Sequence, residues 1–570
     1  MIQMRYEPAD SCPAPQAIAS ALLIFVPNTA SIILLTAFVV RASGQSDGYL
    51  AWVTFTGLAI SGLSMILHAF PYRHLGSGGL VVTNLNVPLL AMSVLALAQG
   101  GPGLLATLVV TTTILQFAIV PRLASLRRVF TPTVSGIIIM LVAVSAVPFI
   151  VDRSIDQSQD QSAFVFIPGL VALGAGLWAA VQASPARRVW TLPIAVAAGL
   201  LVAFPMGLYD FGLVTDAPWL SVFDLAWPGW SLDFGVNYWS MLPAFLVVKL
   251  TAFLKVVGDL SVINRASYAN PVALDFRKVQ SGLNVYGATT LLTGLLATLP
   301  VSAPWSSTAV YIGFTGNAAR SVGIYLGIFT LLIAGFSKVV AAIAATPNSV
   351  ISAVYVFVFG LLFIEGAKWV FSSPMTNRKS VITGVSLVLG LSAGTFGQLS
   401  DGILGELIGN TIIVGALTAI GMTAATEFRS LWPGKLRVEL SPSALTDISR
   451  LLDQFAARNK WGESAKSRLN LVVEEAVLTL LEQGSEAGSE NGRRLVASVH
   501  PDGDAAEVEL VVYSRDQVEG NIEDQLAYLG DHATTDDAQQ LSTRLLQHYA
   551  SSVHHRKYHG VDVITCRIEK

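Results

Sequence analysis

Apolar residues run along the chain in long blocks from residue 17 to residue 427, after which the chain turns abruptly polar. A helix needs about 20 apolar residues to cross a bilayer, because every backbone polar group must be paired inside the hydrocarbon. Blocks near that length fall at 17–40, 49–70, 75–99, 102–121, 133–151, 164–183, 189–208, 237–260, 281–299, 302–315, 322–345, 348–370, 381–397 and 403–425. The pattern predicts an all-α polytopic membrane protein of fourteen transmembrane spans. Two blocks are interrupted. The third opens with LGSGG and carries TNLNVP at 83–88; the tenth is short and begins VSAPWSST. In two halves of seven spans these are corresponding members, and such matched, broken spans mark the central site of many secondary transporters.

The polar remainder, from about residue 433, reads as a separate α+β domain. Residues 442–458 place Leu445, Ile448, Leu451, Leu452 and Phe455 on one helical face. A second helix is predicted at 463–483, strands at 494–500 and 506–513, a helix near 537–552 and a last strand at 561–568.

Composition agrees with a membrane protein. The chain is 53% hydrophobic and 13% charged, about half the charge of a soluble domain. Cys12 and Cys566 lie near opposite ends and the eight histidines form no ligand pattern, so neither a disulfide framework nor a metal site is expected. No cofactor, no enzymatic activity and no nucleic-acid partner are expected. The polar residues 1–16 lack a basic start and a cleavage site, so the first span is expected to be retained.

Loop charge predicts orientation. With the N-terminus in the cytoplasm, the inner loops hold Arg73, Arg122, Arg127, Arg128, Arg187, Arg188, Arg265, Arg277, Lys278, Arg320, Arg378 and Lys379. The outer loops hold only Arg41 and Arg153, with Asp152, Asp156, Asp160, Asp210, Asp216, Asp224 and Asp233. Both termini are therefore expected in the cytoplasm, with the protein in the plasma or inner membrane.

Ionisable residues inside a span are costly and usually face a cavity or a partner. In the eighth span, SMLPAFLVVKLTAFLKVVGDL, Lys255 and Asp259 stand one helical turn apart on one face. They are candidates for groups beside a substrate or coupling ion, or else a self-neutralising pair that holds helices together. Lys338 and Glu365 are expected near the ends of their spans in structural roles. Around Pro304, Ser306, Ser307 and Thr308 offer hydroxyls and freed backbone amides for a planar polar ligand or an anion, or cap their own helix. Gly76, Ser77 and Gly78 are expected to allow close approach in the third span.

Several stretches together resemble the nucleobase–ascorbate (xanthine/uracil permease) transporters: RVFTPTVSGIIIMLVAVSAVP at 128–148, VVGDL at 256–260, and FTGNAARSVGIYLGIFTLLIAGFSKVVAAIAATP at 314–347. The resemblance implies two inverted seven-span repeats, a core moving against a gate domain, and a nucleobase held between spans three, eight and ten. It also implies homodimerisation and coupling to a proton or sodium. Members of that family carry a glutamate where Lys255 stands, and Gln or Glu followed by Asn where Ser307 and Thr308 stand. The added cation favours an anionic ligand, and Asp259 is the candidate proton carrier. PVSAPWSSTAV at 300–310 also resembles the tenth-span motif of the sulfate permease family, so an anion such as sulfate or bicarbonate is the alternative cargo. A transporter-like sensor signalling through the tail is a further alternative.

VVEEAVLTLLEQG in the tail resembles the first ATP-site helix of anti-sigma-factor, histidine-kinase-like ATPases. Glu474 and Glu475 remain, Thr479 stands at the magnesium-binding Asn, Asp516 lacks its glycine, and TTDDAQQLSTRLLQ has no glycine-rich lid. Without those glycines the backbone cannot approach phosphates closely. The tail is expected to be a degenerate relative that binds no ATP and serves regulation, with a cytoplasmic regulatory protein as partner.

Overall fold

The computed structural model describes residues 5–72, 75–119, 131–148, 163–182, 184–220, 227–229, 234–269, 276–372, 375–399, 402–427, 435–486, 493–502, 505–513, 549–558 and 561–569. The chain forms two compact units, and the boundary between them at Met422–Thr423 falls within the last turns of the helix Thr411–Glu427.

Among the described residues the regular structure of the first unit is helical apart from one short ladder and two isolated bridges, Tyr6 with Asn317 and Tyr72 with Leu75. Its main helices are α1 (Ala14–Ala42), α2 (Asp47–Ala69), α3 (Val87–Ile119), α4 (Pro132–Ser145), α5 (Ile167–Ala180), α6 (Thr191–Ala203), α7 (Val236–Ala266) and α8 (Phe276–Leu295). Then follow α9 (Ser307–Thr315), α10 (Arg320–Ala334), α11 (Ser337–Ala344), α12 (Asn348–Val370), α13 (Asn377–Gly397), α14 (Gly402–Gly409) and α15 (Thr411–Glu427). Each of the fourteen predicted blocks overlaps a helix. Among the described residues six helices are individually long and apolar enough to cross a membrane, and up to eight spans result if the bent pairs α10–α11 and α14–α15 each count as one. The third and fourth blocks run together in α3 and are separated by a bend at Gly101, whose φ of 68° is left-handed. Local signals set other ends. Ser46 caps α2 through Tyr49 N, Thr131 caps α4 through Val134 N, and left-handed Gly316 closes α9.

Helix packing relies on close crossings. A Cβ built on Gly62 of α2 would lie 2.7 Å from the Gly327 carbonyl of α10, and one on Gly327 would lie 2.6 Å from the Gly62 carbonyl. Gly136 of α4 and Gly366 of α12 meet in the same reciprocal way, at 2.5 and 2.7 Å. Lipid provides no hydrophobic drive between helices, so small residues that let backbones touch do much of the packing. Exposed Leu170, Trp178, Leu201, Val388 and Leu417 leave an apolar outer surface, as a bilayer requires.

The second unit contains α16 (Ala444–Arg458), α17 (Glu463–Glu486) and strands β3 (Lys435–Glu439), β4 (Arg494–Asp502), β5 (Ala505–Tyr513), β6 (Ser552–Tyr558) and β7 (Val561–Glu569). The strands form one antiparallel sheet in the order β3-β4-β5-β7-β6. Ile448, Leu452 and Phe455 of α16, Leu469, Val473 and Leu480 of α17, and Leu510, Ile564 and Ile568 of the sheet share its core. Strands β3 and β6 were not expected. β6 (SVHHRKY) is too polar to read as a strand by composition, and it gains its place by pairing with β7. The predicted helix at 537–552 lies mostly outside the described residues, as do Asp516 and the segment TTDDAQQLSTRLLQ. Cys566 is fully buried in the sheet, where burial pushes its thiol up to about 12 and keeps it inert.

Candidate substrate site at two broken helices

Proline and hydroxyl residues stop helix formation at both interrupted blocks, and the structure pairs the two breaks. Strand β1 (Thr83–Asn84) lies antiparallel to β2 (Ala303–Pro304), with Thr83 opposite Pro304 and Asn84 opposite Ala303. Trp305 N–H donates to the Val82 carbonyl at 3.0 Å, and Asn86 N–H to the Pro300 carbonyl at 2.9 Å. Helix α3 starts after β1 and α9 after β2. The N-terminal ends of both helices, with their positive dipole ends, therefore begin beside one ladder. Buried polar side chains from two other helices hold it. Ser61 Oγ of α2 donates to the Thr83 carbonyl at 2.9 Å, and Asn84 Nδ2 donates to Asn28 Oδ1 of α1 at 2.9 Å. Sequence reasoning missed Asn28; a buried amide next to Pro27 inside an apolar helix was the available signal.

Lys255 of α7 is the charged centre. Its Nζ donates to Asp259 Oδ2 at 2.8 Å, as the one-turn spacing predicts. It also lies 3.1 Å from Glu365 Oε1 of α12. Glu365, expected near the end of its span in a structural role, pairs with the eighth-span lysine. The side chains of Lys255 and Asp259 are 14% and 10% exposed, while Glu365 is 38% exposed. Helix α7 packs against β2 and α9, so the helix that carries the charged group lies against the tenth-span break.

The remaining candidates divide. Ser307 Oγ is buried and has no hydrogen-bond partner among the described residues. Thr308 Oγ1 accepts from Val82 N–H at 3.1 Å and so staples the two breaks together. Gly76, Ser77 and Gly78 form a turn packed on the end of α2. A side chain at Gly76, whose φ is +86°, would collide with the Phe70 and Leu67 carbonyls, and Gly78 N–H donates to the His68 carbonyl at 2.8 Å. Ser77 lines a small cavity with Leu260, Ile263 and Asn264, on the stretch of α7 beyond Asp259. These glycines serve the backbone of the turn, not close approach beside Lys255.

A second lysine is more deeply placed. Lys249 is 1% exposed, and its Nζ has no hydrogen-bond partner among the described residues. It lies 5.3 Å from the centroid of the Tyr286 ring, whose hydroxyl accepts from Asn86 Nδ2 at 2.8 Å. A ring face offsets about 1–2 kcal/mol for a desolvated cation, less than burial costs. Lys249→Met is therefore expected to raise stability by about 1–3 kcal/mol, read as a higher unfolding midpoint in detergent. A lower midpoint would show that the ring contact outweighs burial.

The pattern of the xanthine/uracil permeases, described as "Permease family", matches residues 15–399. Xanthine permease XanP of Escherichia coli K12 is 25% identical over 439 residues, covering 73% of this chain and 93% of that protein. Uric acid permease PucK of Bacillus subtilis is 25% identical over 405 residues, covering 69% and 92%. Among solved structures, the transmembrane domain of a cyanobacterium bicarbonate transporter, BicA, aligns at 14% identity with a TM-score of 0.43, covering 74% of this chain and all of that one. The match to more than half of the chain establishes that it belongs to the xanthine/uracil permease family: an integral membrane transport protein for a small molecule, not an enzyme.

Proposed function

We propose that the chain is a secondary active transporter of an acidic oxopurine, of which uric acid and xanthine are the type, and that it works by alternating access. One observation carries the choice of an acidic cargo: a largely buried ammonium, Lys255, stands on α7, the helix that packs against β2 and α9 at the paired breaks. The printed names of the relatives, xanthine and uric acid permeases, supply the base. In this reading the oxopurine's ionised edge meets Lys255. Its remaining polar edge meets the Ser307 hydroxyl and the positive N-terminal ends of α3 and α9. Asp259 is the proton carrier, because it alone of the two acids shares a helix and a face with Lys255.

The wider arrangement we propose is fourteen spans in two inverted repeats of seven, with core and gate domains. Both termini lie on the cytoplasmic side of the cell membrane, and the protein acts as a homodimer. The support is the overlap of each predicted block with a helix, the antiparallel pairing of the third and tenth blocks, and the loop-charge asymmetry. The second unit, an α+β domain, is proposed as a regulatory module that binds no nucleotide. Glu474 is exposed on α17, and Thr479 Oγ1 is spent on the Glu475 carbonyl at 2.9 Å, which suits a solvated helix face better than a magnesium site.

Counterflow in proteoliposomes tests the reading. Vesicles loaded with unlabelled urate or xanthine are expected to accumulate the labelled base transiently. Binding without counterflow would mark a sensor. Thermal protection by bicarbonate or sulfate, with none by any purine, would mark an anion permease instead.

A further inference from the structure

Lys255 serves two acids that differ in kind. Asp259 is on the same helix, one turn away, and nearly as buried as the lysine. Glu365 comes from α12 and is the most exposed member of the group. Helix α7 packs chiefly on α3 and also touches α14, α4, and the elements of the tenth-span break, α9 and β2. Helix α12 packs chiefly on α4 and α5. The Lys255–Glu365 contact is therefore a polar tie between the helix that carries the candidate site and α12, whose main packing lies elsewhere, on α4 and α5.

We propose that Glu365 is a built-in competitor of the substrate: its carboxylate occupies the position on Lys255 that the ligand's acidic edge takes, and ligand entry breaks the tie between α7 and α12. The inference rests on the acidic-oxopurine reading above. Asp259 cannot be the displaced group, since the helical spacing holds it against Lys255 whatever α12 does. Glu365 is the freer of the two acids, because its side chain is 38% exposed against 10% for Asp259 and it comes from a different helix. The exchange conserves charge at the lysine: one anion leaves as another arrives, and Lys255 is never left buried without a counter-ion. The empty protein is held in one arrangement by its own acid, and only a ligand carrying negative charge releases it. A ligand that binds one arrangement better shifts the population by that difference alone, so charge on the substrate becomes the signal to move.

The test is equilibrium binding of urate, an anion at neutral pH, and of hypoxanthine, a neutral purine, to purified protein. Glu365→Gln removes the competing charge but keeps the shape. It is expected to tighten urate binding roughly five- to tenfold and to leave hypoxanthine unchanged. Glu365→Ser, which shortens the side chain, is expected to do the same, so the result does not depend on the folding of one variant. In a Lys255→Met background, Glu365→Gln is expected to have no effect on urate. If the wild type binds urate and both Glu365 variants bind it equally or more weakly, Glu365 is only a structural tie and the proposal is overturned, with the substrate reading intact. If the wild type binds neither urate nor xanthine, the substrate reading itself falls and takes this inference with it.

Discussion

Lys255→Glu is expected to lower urate affinity by two orders of magnitude or more and to affect neutral hypoxanthine far less. The wild-type ammonium offers a charge-assisted hydrogen bond worth about 1.5–3 kcal/mol to a ligand anion. The substitution removes it and places a third carboxyl group beside Asp259 and Glu365, which lie 2.8 and 3.1 Å from the present Nζ. Loss of attraction and gain of repulsion act in the same direction. Each 1.4 kcal/mol is tenfold, so about 3 kcal/mol corresponds to more than a hundredfold. A neutral purine meets no such repulsion and can donate an N–H to the new acid. Competition by each purine against labelled substrate in proteoliposomes measures both effects. Equal losses for the two ligands would show that Lys255 only holds helices together, and the account of the ligand's charge would fail.

Gly366→Leu is expected to abolish recovery of folded protein, where Gly360→Ala on the same helix is tolerated. Gly366 meets the backbone of α4 at Gly136 O, and an added Cβ would also lie 2.8 Å from Met140 Cγ and 3.0 Å from Met140 N. Backbone cannot step aside as a flexible side chain does, so the helices must separate along their length. Overpacking costs about 1–3 kcal/mol for each forced insertion, and a leucine here inserts several atoms into a contact already at its limit. A Cβ at Gly360 meets nothing within 4 Å. Gly62→Leu should fail likewise at the crossing of α2 and α10. Monodisperse elution of fluorescently tagged variants in detergent reads the outcome. A sharp peak for Gly366→Leu would mean that α4 and α12 do not cross so closely in the membrane.

Much of this was legible in the chain because the signals are local. The breaks at TNLNVP and SAPWSS announce themselves by residues that cannot continue an apolar helix, and Lys255 and Asp259 declare their shared face by spacing. Glu365 was not legible: its partner is on another helix, and nothing in its own surroundings, LFIEGAKW, distinguishes a site acid from an acid near a span's end. The reverse error occurred at Gly76 and Gly78. Glycines in a broken span suggested ligand approach, yet the left-handed φ values there, 86° and 76°, answer to a turn. In the tail, β3 and β6 escaped because short polar strands owe their conformation to the neighbour they pair with. Thr308 looked like a ligand contact because an isolated hydroxyl does not reveal that a backbone amide, Val82 N–H, will claim it.

The ladder that joins the two breaks is stitched mainly by main-chain atoms, through Trp305 to Val82 and Asn86 to Pro300. Such stitching is indifferent to which side chains surround it. Neighbouring positions are then free to exchange an acid for a base, or an amide for a hydroxyl, without dismantling the frame that supports them. A permease assembled in this way can acquire a new cargo by a handful of point changes, and an engineer seeking altered selectivity should begin with Lys255, Ser306 and Ser307 and leave the ladder alone.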